Sequence, residues 1–344
     1  MINIGVIGCG YWGPNLIRNF NELSDSNLLA ICDLDESKLN KIKRRYPYVK
    51  TFKDYHDLLR DSLLEAVVVA TPAFTHYPVV KECILAGKDT FVEKPLTLKV
   101  EEGREILEVA RRKRKILMVG HLLEYHPAVT KLKEYIDKGE LGDIYYIYSQ
   151  RVNLGKIKVE ENALFSFAPH DISVILYLLG KEPEEVSAQG MSYLQNNVED
   201  VVFITLYFPG KVLAHIHVSW LDPHKIRKMT IVGSKKMAVF DDMETANKLI
   251  LYDRGVKRVN NNHHYNFFGE ALSLRFGDIH IPRINSGEPL KLECQHFLDC
   301  VKNKRKPKSD GQDGLRVVKI LEAAQKSLKR GGKTIPVPVK RGKG

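Results

Sequence analysis

Met1-Ile-Asn-Ile-Gly-Val-Ile7 and the turn after it, Gly8-Cys-Gly-Tyr-Trp-Gly13, decide the fold of this chain. The first seven residues are a short apolar run, which is typical of a buried strand. A helical run opens at Pro14, and its apolar face consists of Leu16, Ile17, Phe20 and Leu23. A second apolar run ends at Asp33. The order of strand, glycine turn, helix, strand and acid predicts a site for a dinucleotide.

Each glycine of the turn has its own role in such a site. Gly8 permits the tight turn, Gly10 lets the backbone approach a pyrophosphate, and Gly13 lets the helix pack closely on the strand. The first turn of the helix then presents free N–H groups and the positive end of its dipole to the phosphates. The alternative is a glycine turn with a purely structural role.

Asp33 indicates which dinucleotide is bound. A carboxylate at the end of the second strand accepts hydrogen bonds from the ribose hydroxyls and repels a 2′-phosphate. Leu34 and Asp35 follow, and neither is an arginine that would bind that phosphate. The sequence therefore predicts NAD rather than NADP as the cofactor. The alternative, Asp33 as a helix cap, fits less well than Asp35 or Ser37 in that role.

The composition indicates a protein of the cytoplasm. At 344 residues the chain is long enough for two domains, and no apolar run reaches the ~18–20 residues that cross a bilayer. The N-terminus enters a strand without a basic region or a cleavage site, so no signal peptide is predicted. The five cysteines are scattered, which favours reduced thiols over a metal site.

The net charge of +11 has two interpretations, a lysine-rich solvated surface or a field that favours an anionic ligand such as a nucleotide-sugar. Nucleic acid is not predicted as a partner, because the densest basic runs, at 111–115 and 302–308, lack interleaved aromatic residues.

The chain divides into two domains and a tail. Residues 1–119 alternate short apolar strands with helices, which predicts an α/β fold, a doubly wound Rossmann domain. Residues 120–335 predict an α+β domain with a mostly antiparallel, open sheet, because long strands with period-two alternation replace the earlier pattern. Residues 254–288 are expected to form a long irregular loop, and residues 336–344 a flexible tail.

Two later parts of the chain complete a pattern with the glycine turn. They are Ala70-Thr71-Pro72 with His76 and Glu93-Lys94-Pro95, and then Phe165-Ser166-Phe167-Ala168-Pro169-His170-Asp171. Together these residues resemble the glucose–fructose oxidoreductase, inositol dehydrogenase and rhizopine-catabolism (Gfo/Idh/MocA) family of NAD(P)-dependent oxidoreductases, over nearly the whole chain.

Further stretches resemble one branch of that family, which oxidises the 3″-hydroxyl of UDP-N-acetylglucosamine or its uronic acid. The stretches begin at Arg151-Val-Asn153-Leu-Gly155, Ser219-Trp-Leu-Asp222, Thr230-Ile-Val-Gly, Gly277-Asp-Ile-His and Glu288-Pro-Leu-Lys.

The resemblance implies that Lys94 and His170 are the catalytic residues. Oxidation of a secondary alcohol needs a base for the hydroxyl proton, and a neutral imidazole suits that role near neutral pH. The resemblance gives this role to His170. It places Lys94 between nicotinamide and substrate, where an ammonium stabilises a developing alkoxide. It also implies a cis Lys94–Pro95 bond and cofactor contacts at Tyr11, Trp12, Thr71, Pro72, His76, Glu93 and Lys94.

One position departs from the family pattern. Many relatives have Asp four residues before the histidine, and here that position is Ser166. A hydroxyl does not stabilise an imidazolium as a carboxylate does, so Ser166 is expected to orient His170 or to contact substrate. Asp171 is not an obvious replacement, because it projects in another direction on the helix.

Other side chains are candidates for substrate contacts. The expected substrate-binding set is Lys94, His121, Arg151, Asn153, Ser166, His170 and Asp171. Arg151 is suited to a pyrophosphate because its guanidinium binds phosphate through two parallel bonds. The alternative role of His121 is that of a hinge residue between the domains. Trp220 either stacks on a nucleotide base or fills the core. His215 and His217 share a strand face, but no third metal ligand is spaced sensibly beside them.

These features predict an NAD-dependent sugar dehydrogenase that oxidises a ring secondary alcohol of a UDP-linked N-acetylhexosamine. The partners expected are a small-molecule substrate and further copies of the chain, as a dimer or tetramer, with no membrane. The alternatives are an inositol or polyol dehydrogenase, an NAD-dependent glycosidase, and a nucleotide sensor without turnover.

Overall fold

The computed structural model describes residues 1–155, 157–159, 161–258 and 272–338. The chain forms two compact units, one of Met1–His126 with Gly287–Glu322 and one of Pro127–Ser286 with Ala323–Gly344. This division differs from the expected boundary at residue 119, because a C-terminal segment returns to the first unit. The sequence pattern of that segment is simply helical, and nothing in it tells which sheet it covers.

The first unit contains a six-stranded parallel sheet in the order β3-β2-β1-β4-β5-β6. Its strands are β1 (Ile2–Ile7), β2 (Ser26–Cys32), β3 (Lys50–Phe52), β4 (Ala66–Val69), β5 (Asp89–Glu93) and β6 (Leu117–Gly120). The helices between them are α1 (Gly13–Glu22), α2 (Glu36–Arg45), α3 (Tyr55–Leu59), α4 (His76–Leu85) and α5 (Val100–Lys113). This is the predicted doubly wound α/β fold, in which a ligand binds at the carboxyl ends of the strands near the β1–β4 switch point.

The second unit contains a nine-stranded sheet in the order β14-β13-β12-β11-β7-β10-β9-β8-β15. Its strands are β7 (Ile144–Val152), β8 (Glu185–Met191), β9 (Val201–Phe208), β10 (Val212–Ser219), β11 (Ile226–Gly233), β12 (Met237–Asp241), β13 (Leu249–Arg258), β14 (Leu272–His280) and β15 (Ile335–Pro336). All neighbours pair in antiparallel fashion except β7 and β10, which are parallel. The predicted mostly antiparallel sheet is confirmed.

One face of this second sheet is covered by helices. They are α6 (Pro127–Asp137), which contacts β12, and α7 (Ala163–Leu179), which contacts β7, β9 and β10. The period-two pattern of the strands explains the arrangement, because Val202, Ile204 and Leu206 of β9 are fully buried while Phe203 and Tyr207, on the opposite face of the strand, are exposed.

The C-terminal segment adds α8 (Pro289–Asn303) and α9 (Gly311–Lys329). Phe297 of α8 packs edge-on against Phe20 of α1 and Phe91 of β5, with ring centroids 6.2 and 5.7 Å away. On the other face of the parallel sheet, Leu315 and Val318 of α9 join the core formed by α4 and α5. Burial of these side chains is what draws the segment back to the first unit.

The structure corrects two sequence-based expectations. The stretch 254–288, expected as an irregular loop, contains the end of β13 and all of β14, which pair as antiparallel strands. The alternation of Leu272, Leu274 and Phe276 with polar residues is the strand signal, but these side chains are exposed, so burial does not reinforce it. Residues 259–271 lie outside the described residues.

The expected tail also begins later than predicted. Pro336 pairs with Glu185, and Val337 is buried and donates its N–H to the Glu184 carbonyl oxygen at 2.8 Å. Residues 339–344, where the rest of the predicted tail falls, lie outside the described residues.

Candidate active site and cofactor site

The glycine turn has the backbone that its sequence predicts. Gly8 has a φ of +101°, and a Cβ at this residue would lie 2.6 Å from the carbonyl of Ala70. A Cβ at Gly13 would lie 2.0 Å from the carbonyl oxygen of Gly8, so α1 can begin here only without a side chain. At Gly10 a Cβ would meet nothing within 4 Å. The backbone at Gly10 is therefore open to a diphosphate, at the N-terminus of a helix.

Asp33 is fixed by the backbone around it. Its Oδ2 accepts the N–H of Cys9 at 2.7 Å, and its Oδ1 accepts the N–H of Asp35 at 2.9 Å. The carboxylate thus lies against the glycine turn, at the carboxyl end of β2. Asp35 caps α2 by accepting the N–H of Ser37, as expected.

Lys38 is a residue of this site that the sequence reasoning missed. Its Nζ lies 3.6 Å from Oδ1 of Asp33 and 3.7 Å from Oδ2 of Asp35. The signal was present, since Lys38 is one helical turn after the Asp35 cap. The ammonium is held by two carboxylates, so the preference for NAD depends on Asp33 and not on the lack of a cation.

Asp33→Asn is expected to raise the affinity for NADPH relative to NADH by about 10- to 100-fold, because the repulsion of the 2′-phosphate is lost and Lys38 is released to bind it. Adding Lys38→Ala to Asp33→Asn should remove that gain. Both dissociation constants can be measured by nucleotide fluorescence. Lys41→Ala, an exposed lysine of the same helix, is the control. An NADPH affinity that does not depend on Lys38 would contradict this account.

The turn after β4 lies directly beside the glycine turn. Thr71 and Pro72 open it, and a Cβ on Gly8 would lie 2.9 Å from the backbone nitrogen of Thr71. His76, the first residue of α4, is 1 % exposed. Its Nδ1 lies 2.7 Å from the carbonyl oxygen of Pro95, and its Nε2 lies 2.9 Å from that of Thr71. The cofactor contacts expected for Thr71, Pro72 and His76 remain predictions.

Glu93 and Lys94 occupy the carboxyl end of β5. The Lys94–Pro95 bond is cis, as predicted. The Glu93 carboxylate accepts the backbone N–H of Lys94 at 3.2 Å and a hydrogen bond from the Trp12 side chain. Burial raises the pKa of Glu93 to about 7, and the charge of Lys94 opposes that rise. Trp12 therefore contacts the Glu93–Lys94 segment, while Tyr11 beside it is 87 % exposed.

The first unit contains three buried acids at the carboxyl side of β6 and in the C-terminal helices. Glu124 follows β6, Glu293 lies in α8, and Asp313 lies in α9. Burial and then the neighbouring Asp313 raise the pKa of Glu124 well above its ordinary value. Burial and then Glu93 do the same for Glu293, which is fully buried. Both carboxyl oxygens of Glu293 lack a hydrogen-bond partner among the described residues. Burial therefore favours the protonated, neutral form of Glu293 in the folded protein.

Glu293→Gln is expected to stabilise the protein more at about pH 8 than at about pH 5. In the unfolded chain the Glu293 carboxyl group loses its proton near its ordinary pKa of 4.5, whereas in the folded protein it keeps the proton to a higher pH. Because the unfolded chain then binds fewer protons than the folded protein, rising pH destabilises the parent protein through this residue. Glutamine does not titrate. Melting temperatures at the two pH values test this, with Glu65→Gln as the control for an exposed glutamate. An equal shift at both values would show that Glu293 is ionised in the folded state.

His121, which directly follows β6, is also buried, at 1 % exposure. Burial lowers the pKa of His121 to about 4, so the ring is neutral near pH 7. Neither ring nitrogen has a hydrogen-bond partner among the described residues. Its expected substrate contact remains a prediction, as does its alternative role as a hinge.

The second unit contains His170 in the middle of α7. Pro169 precedes it inside the helix and removes the N–H that would bond the carbonyl of Phe165. Ser166, one turn earlier, is 5 % exposed. Asn162 caps the helix through the N–H of Phe165, at 3.2 Å. The helix begins at Ala163, directly after this cap.

Asp171 and Arg151 form a buried ion pair next to His170. Arg151 donates from Nε to Oδ2 of Asp171 at 2.6 Å, and from Nη2 to Oδ1 at 3.3 Å. Ser149 donates its hydroxyl to the same Oδ1 at 2.6 Å. The pair fastens α7 to β7, so both side chains have a structural role. The carboxylate is directed to β7 and does not replace the missing family Asp, while substrate contacts for Arg151 and Asp171 remain predictions.

The remaining candidates of the second unit have different surroundings. Asn153 follows β7, and its N–H bonds the Ser219 carbonyl oxygen at 3.1 Å. Trp220 is fully buried and donates its indole N–H to Asp200 at 2.5 Å, so it fills the core and does not stack on a base. His215 and His217 stack on Phe203, with centroids 6.2 and 4.3 Å away. No metal-binding cluster of His, Cys, Asp or Glu occurs in the described part of the chain.

Comparison with models of known protein families matches the N-terminal part and the middle part of the chain. Residues 2–121 match the model of the oxidoreductase family with an NAD-binding Rossmann fold, and residues 129–239 match that of the Gfo/Idh/MocA C-terminal domain. The chain belongs to the Gfo/Idh/MocA family. It is therefore an oxidoreductase with an NAD-binding Rossmann domain, as the glycine turn and Asp33 predicted.

Relatives within the Gfo/Idh/MocA family include inositol dehydrogenases. Myo-inositol 2-dehydrogenase of Thermotoga maritima is 27 % identical over 337 residues, covering 95 % of this chain and 96 % of the relative. The NAD-dependent scyllo-inositol 2-dehydrogenase of Bacillus subtilis is 25 % identical over 353 residues, covering 99 % of this chain and 97 % of the relative.

Among solved structures, UDP-N-acetylglucosamine 3-dehydrogenase GnnA from Acidithiobacillus ferrooxidans has the same fold. Its TM-score is 0.80 at 22 % identity, covering 96 % of this chain and 98 % of that one. In this Gfo/Idh/MocA chain, no helix within the described ranges is long and apolar enough to span a membrane.

Proposed function

We propose that this protein is an NAD-dependent dehydrogenase that oxidises a ring secondary alcohol, the 3″-hydroxyl, of a UDP-linked N-acetylhexosamine or its uronic acid. NAD supplies the acceptor for the hydride. His170 accepts the proton of the hydroxyl, and the ammonium of Lys94 hydrogen-bonds the reacting oxygen and stabilises its developing negative charge. The product is a ketone on the sugar ring.

The observation that carries the proposal is the position of Lys94. It directly follows β5, at the edge of the parallel sheet where the strands end and where ligands bind in doubly wound folds. Asp33, the glycine turn and the turn after β4 lie at the same edge of the same sheet. A cation at this edge is suited to a reaction that builds negative charge on an oxygen.

His170 is the proposed base, although Ser166 stands where many relatives have a carboxylate. Asp171 does not supply that charge, because it is paired with Arg151. We propose that Ser166 orients the imidazole or contacts substrate.

The sequence stretches that resemble the UDP-sugar branch and the net charge of +11 support a nucleotide-sugar as substrate. The inositol dehydrogenases among the relatives support a second candidate, the same oxidation on a free inositol. A third reaction, glycoside cleavage with transient oxidation of the same carbon, would return the hydride and release no net NADH.

A panel of UDP-N-acetylhexosamines, their uronic acids, and myo- and scyllo-inositol with NAD separates these functions by the absorbance of NADH. Reduction of NAD by a UDP-sugar and not by an inositol supports the proposal. Reduction by an inositol alone replaces it with the second candidate. Solvent hydrogen exchange beside the oxidised carbon without net NADH indicates glycoside cleavage. If a UDP-sugar raises the melting temperature without NADH or exchange, the protein is a sensor.

We also propose that the protein is a homo-oligomer, a dimer or a tetramer, assembled through the uncovered face of the second sheet. That face presents Tyr146, Tyr148, Phe203, Tyr207 and Leu213, each between 37 and 45 % exposed. A contiguous aromatic surface of this kind is typical of an interface. Tyr148→Glu with Phe203→Glu should give monomers in sedimentation, and an unchanged assembly state would place the contact elsewhere.

A further inference from the structure

His76 has a hydrogen-bonding arrangement that a neutral imidazole does not satisfy. The ring is buried, and both nitrogens face backbone carbonyl oxygens, that of Pro95 at 2.7 Å and that of Thr71 at 2.9 Å. A carbonyl oxygen only accepts, so each contact needs an N–H on the ring. A neutral ring has one N–H and would direct a lone pair at the other oxygen.

The two carbonyls belong to neighbouring loops at the carboxyl edge of the parallel sheet. Thr71 follows β4, and the glycine turn rests on this loop, because the Ala70 carbonyl would lie 2.6 Å from a Cβ on Gly8. Pro95 follows β5 and is bonded to Lys94. His76 therefore connects the loop beneath the cofactor turn with the loop that carries Lys94.

We propose that His76 is a positioning residue for Lys94, a buried imidazolium that donates one ring N–H to Thr71 and the other to Pro95. Its effect on Lys94 is transmitted through the backbone, by way of the two carbonyl oxygens. The proposal rests on the proposed role of Lys94, whereas the protonation of the ring can be tested without any substrate.

Two features of the site bear on this assignment. The N-terminus of α4 disfavours a cation, but this effect is smaller than a charge-assisted hydrogen bond. The other side of Lys94 is anchored as well, since the Glu93 carboxylate accepts the Lys94 N–H and contacts Trp12. The peptide that carries Lys94 is thus held at both ends, by His76 at Pro95 and by Glu93.

Nuclear magnetic resonance of the protein with ¹⁵N-labelled histidine tests the ring directly. Near neutral pH, His76 and His56 should both show two protonated ring nitrogens, because a hydrogen bond to Asp54 and the charge of Glu82 also raise the pKa of His56. One of these two signals should be lost in His76→Gln, and the other in His56→Gln, a surface residue of the same unit. If His76→Gln does not fold, contacts of the ring protons with Thr71 and Pro95 in the parent protein assign the signal. A neutral tautomer at His76 overturns the proposal.

The positioning role has a separate readout. His76→Gln is expected to lower kcat by about 10- to 100-fold on the substrate found in the panel, because a displaced Lys94 stabilises the reacting oxygen less well. KM for NAD should change far less than kcat. A loss confined to KM would show that His76 serves cofactor binding and not Lys94. If the panel yields no substrate, the imidazolium signal still tests the protonation of His76. Failure of the proposed function can therefore be distinguished from failure of the His76 proposal.

Discussion

Lys94→Met is expected to lower kcat by about 10²- to 10³-fold, the effect of removing one donor that stabilises an oxyanion. Methionine keeps an unbranched side chain of similar length but lacks the ammonium that bonds the reacting oxygen. Steady-state kinetics on the substrate found in the panel measure the loss. Titration with NADH shows whether the nucleotide site remains intact.

Lys99→Met is the matched control for Lys94→Met. Lys99 is five residues later in the same segment, its side chain is 70 % exposed, and it pairs with Glu102 at the surface. Its replacement should leave kcat unchanged. If Lys94→Met retained the kcat of the parent protein, Lys94 would not stabilise the reacting oxygen.

His170→Ala tests the division of roles in the same assay. If His170 is the base, His170→Ala loses turnover and the remaining rate rises with pH, as hydroxide replaces the imidazole. If His170→Ala retained turnover while Lys94→Met abolished it, His170 would not be the base, and the weak electrostatic support from Ser166 would be the physical reason.

Asp171→Ala is expected to lower the free energy of unfolding by about 3–5 kcal/mol, because it leaves the buried charge of Arg151 without its partner. The side chains of this pair are 8 % and 4 % exposed, so water does not replace the lost carboxylate. The hydroxyl of Ser149 loses its acceptor as well. Denaturant unfolding followed by circular dichroism measures the change.

Two companion variants make the Asp171 result specific. Asp57→Ala removes a carboxylate from the exposed pair with Arg60 and should cost less than about 1 kcal/mol. Combining Arg151→Met with Asp171→Leu removes both charges and should recover most of the stability lost in Asp171→Ala. If Asp171→Ala cost no more than Asp57→Ala, the pair would not fasten α7 to β7.

The first 33 residues predict their own structure because their signals are local. The strand, the turn, the helix and Asp33 follow each other directly, and Gly13 is required by a contact inside this segment, since a Cβ there would lie 2.0 Å from the carbonyl oxygen of Gly8. The period-two strands of the second unit are local in the same sense. Each pattern indicates which face is apolar, and burial confirms it in β9 but not in β14, where the apolar side chains are exposed.

The roles of single polar residues were harder to predict, because they depend on partners far away in the chain. Asp171 pairs with Arg151, twenty residues earlier, and only the packing of α7 on β7 shows it. The sequence pattern indicates only that Lys38 is a surface lysine, whereas the structure places its ammonium beside the Asp33 carboxylate. Trp220 fits a stacking role by type, yet its hydrogen bond to Asp200 and its burial make it core.

By itself, the sequence determined the fold of both units, the NAD site and its family. Lys94 and His170 became candidates through the resemblance of three short motifs, in their order along the chain, to the Gfo/Idh/MocA family. The tertiary structure alone decided that α8 and most of α9 join the Rossmann unit, because helices of similar apolar pattern are distinguished only by the core that they fill. It likewise decided that His76 faces two carbonyls, since hydrogen-bond partners nineteen residues apart meet only when β4 and β5 lie side by side.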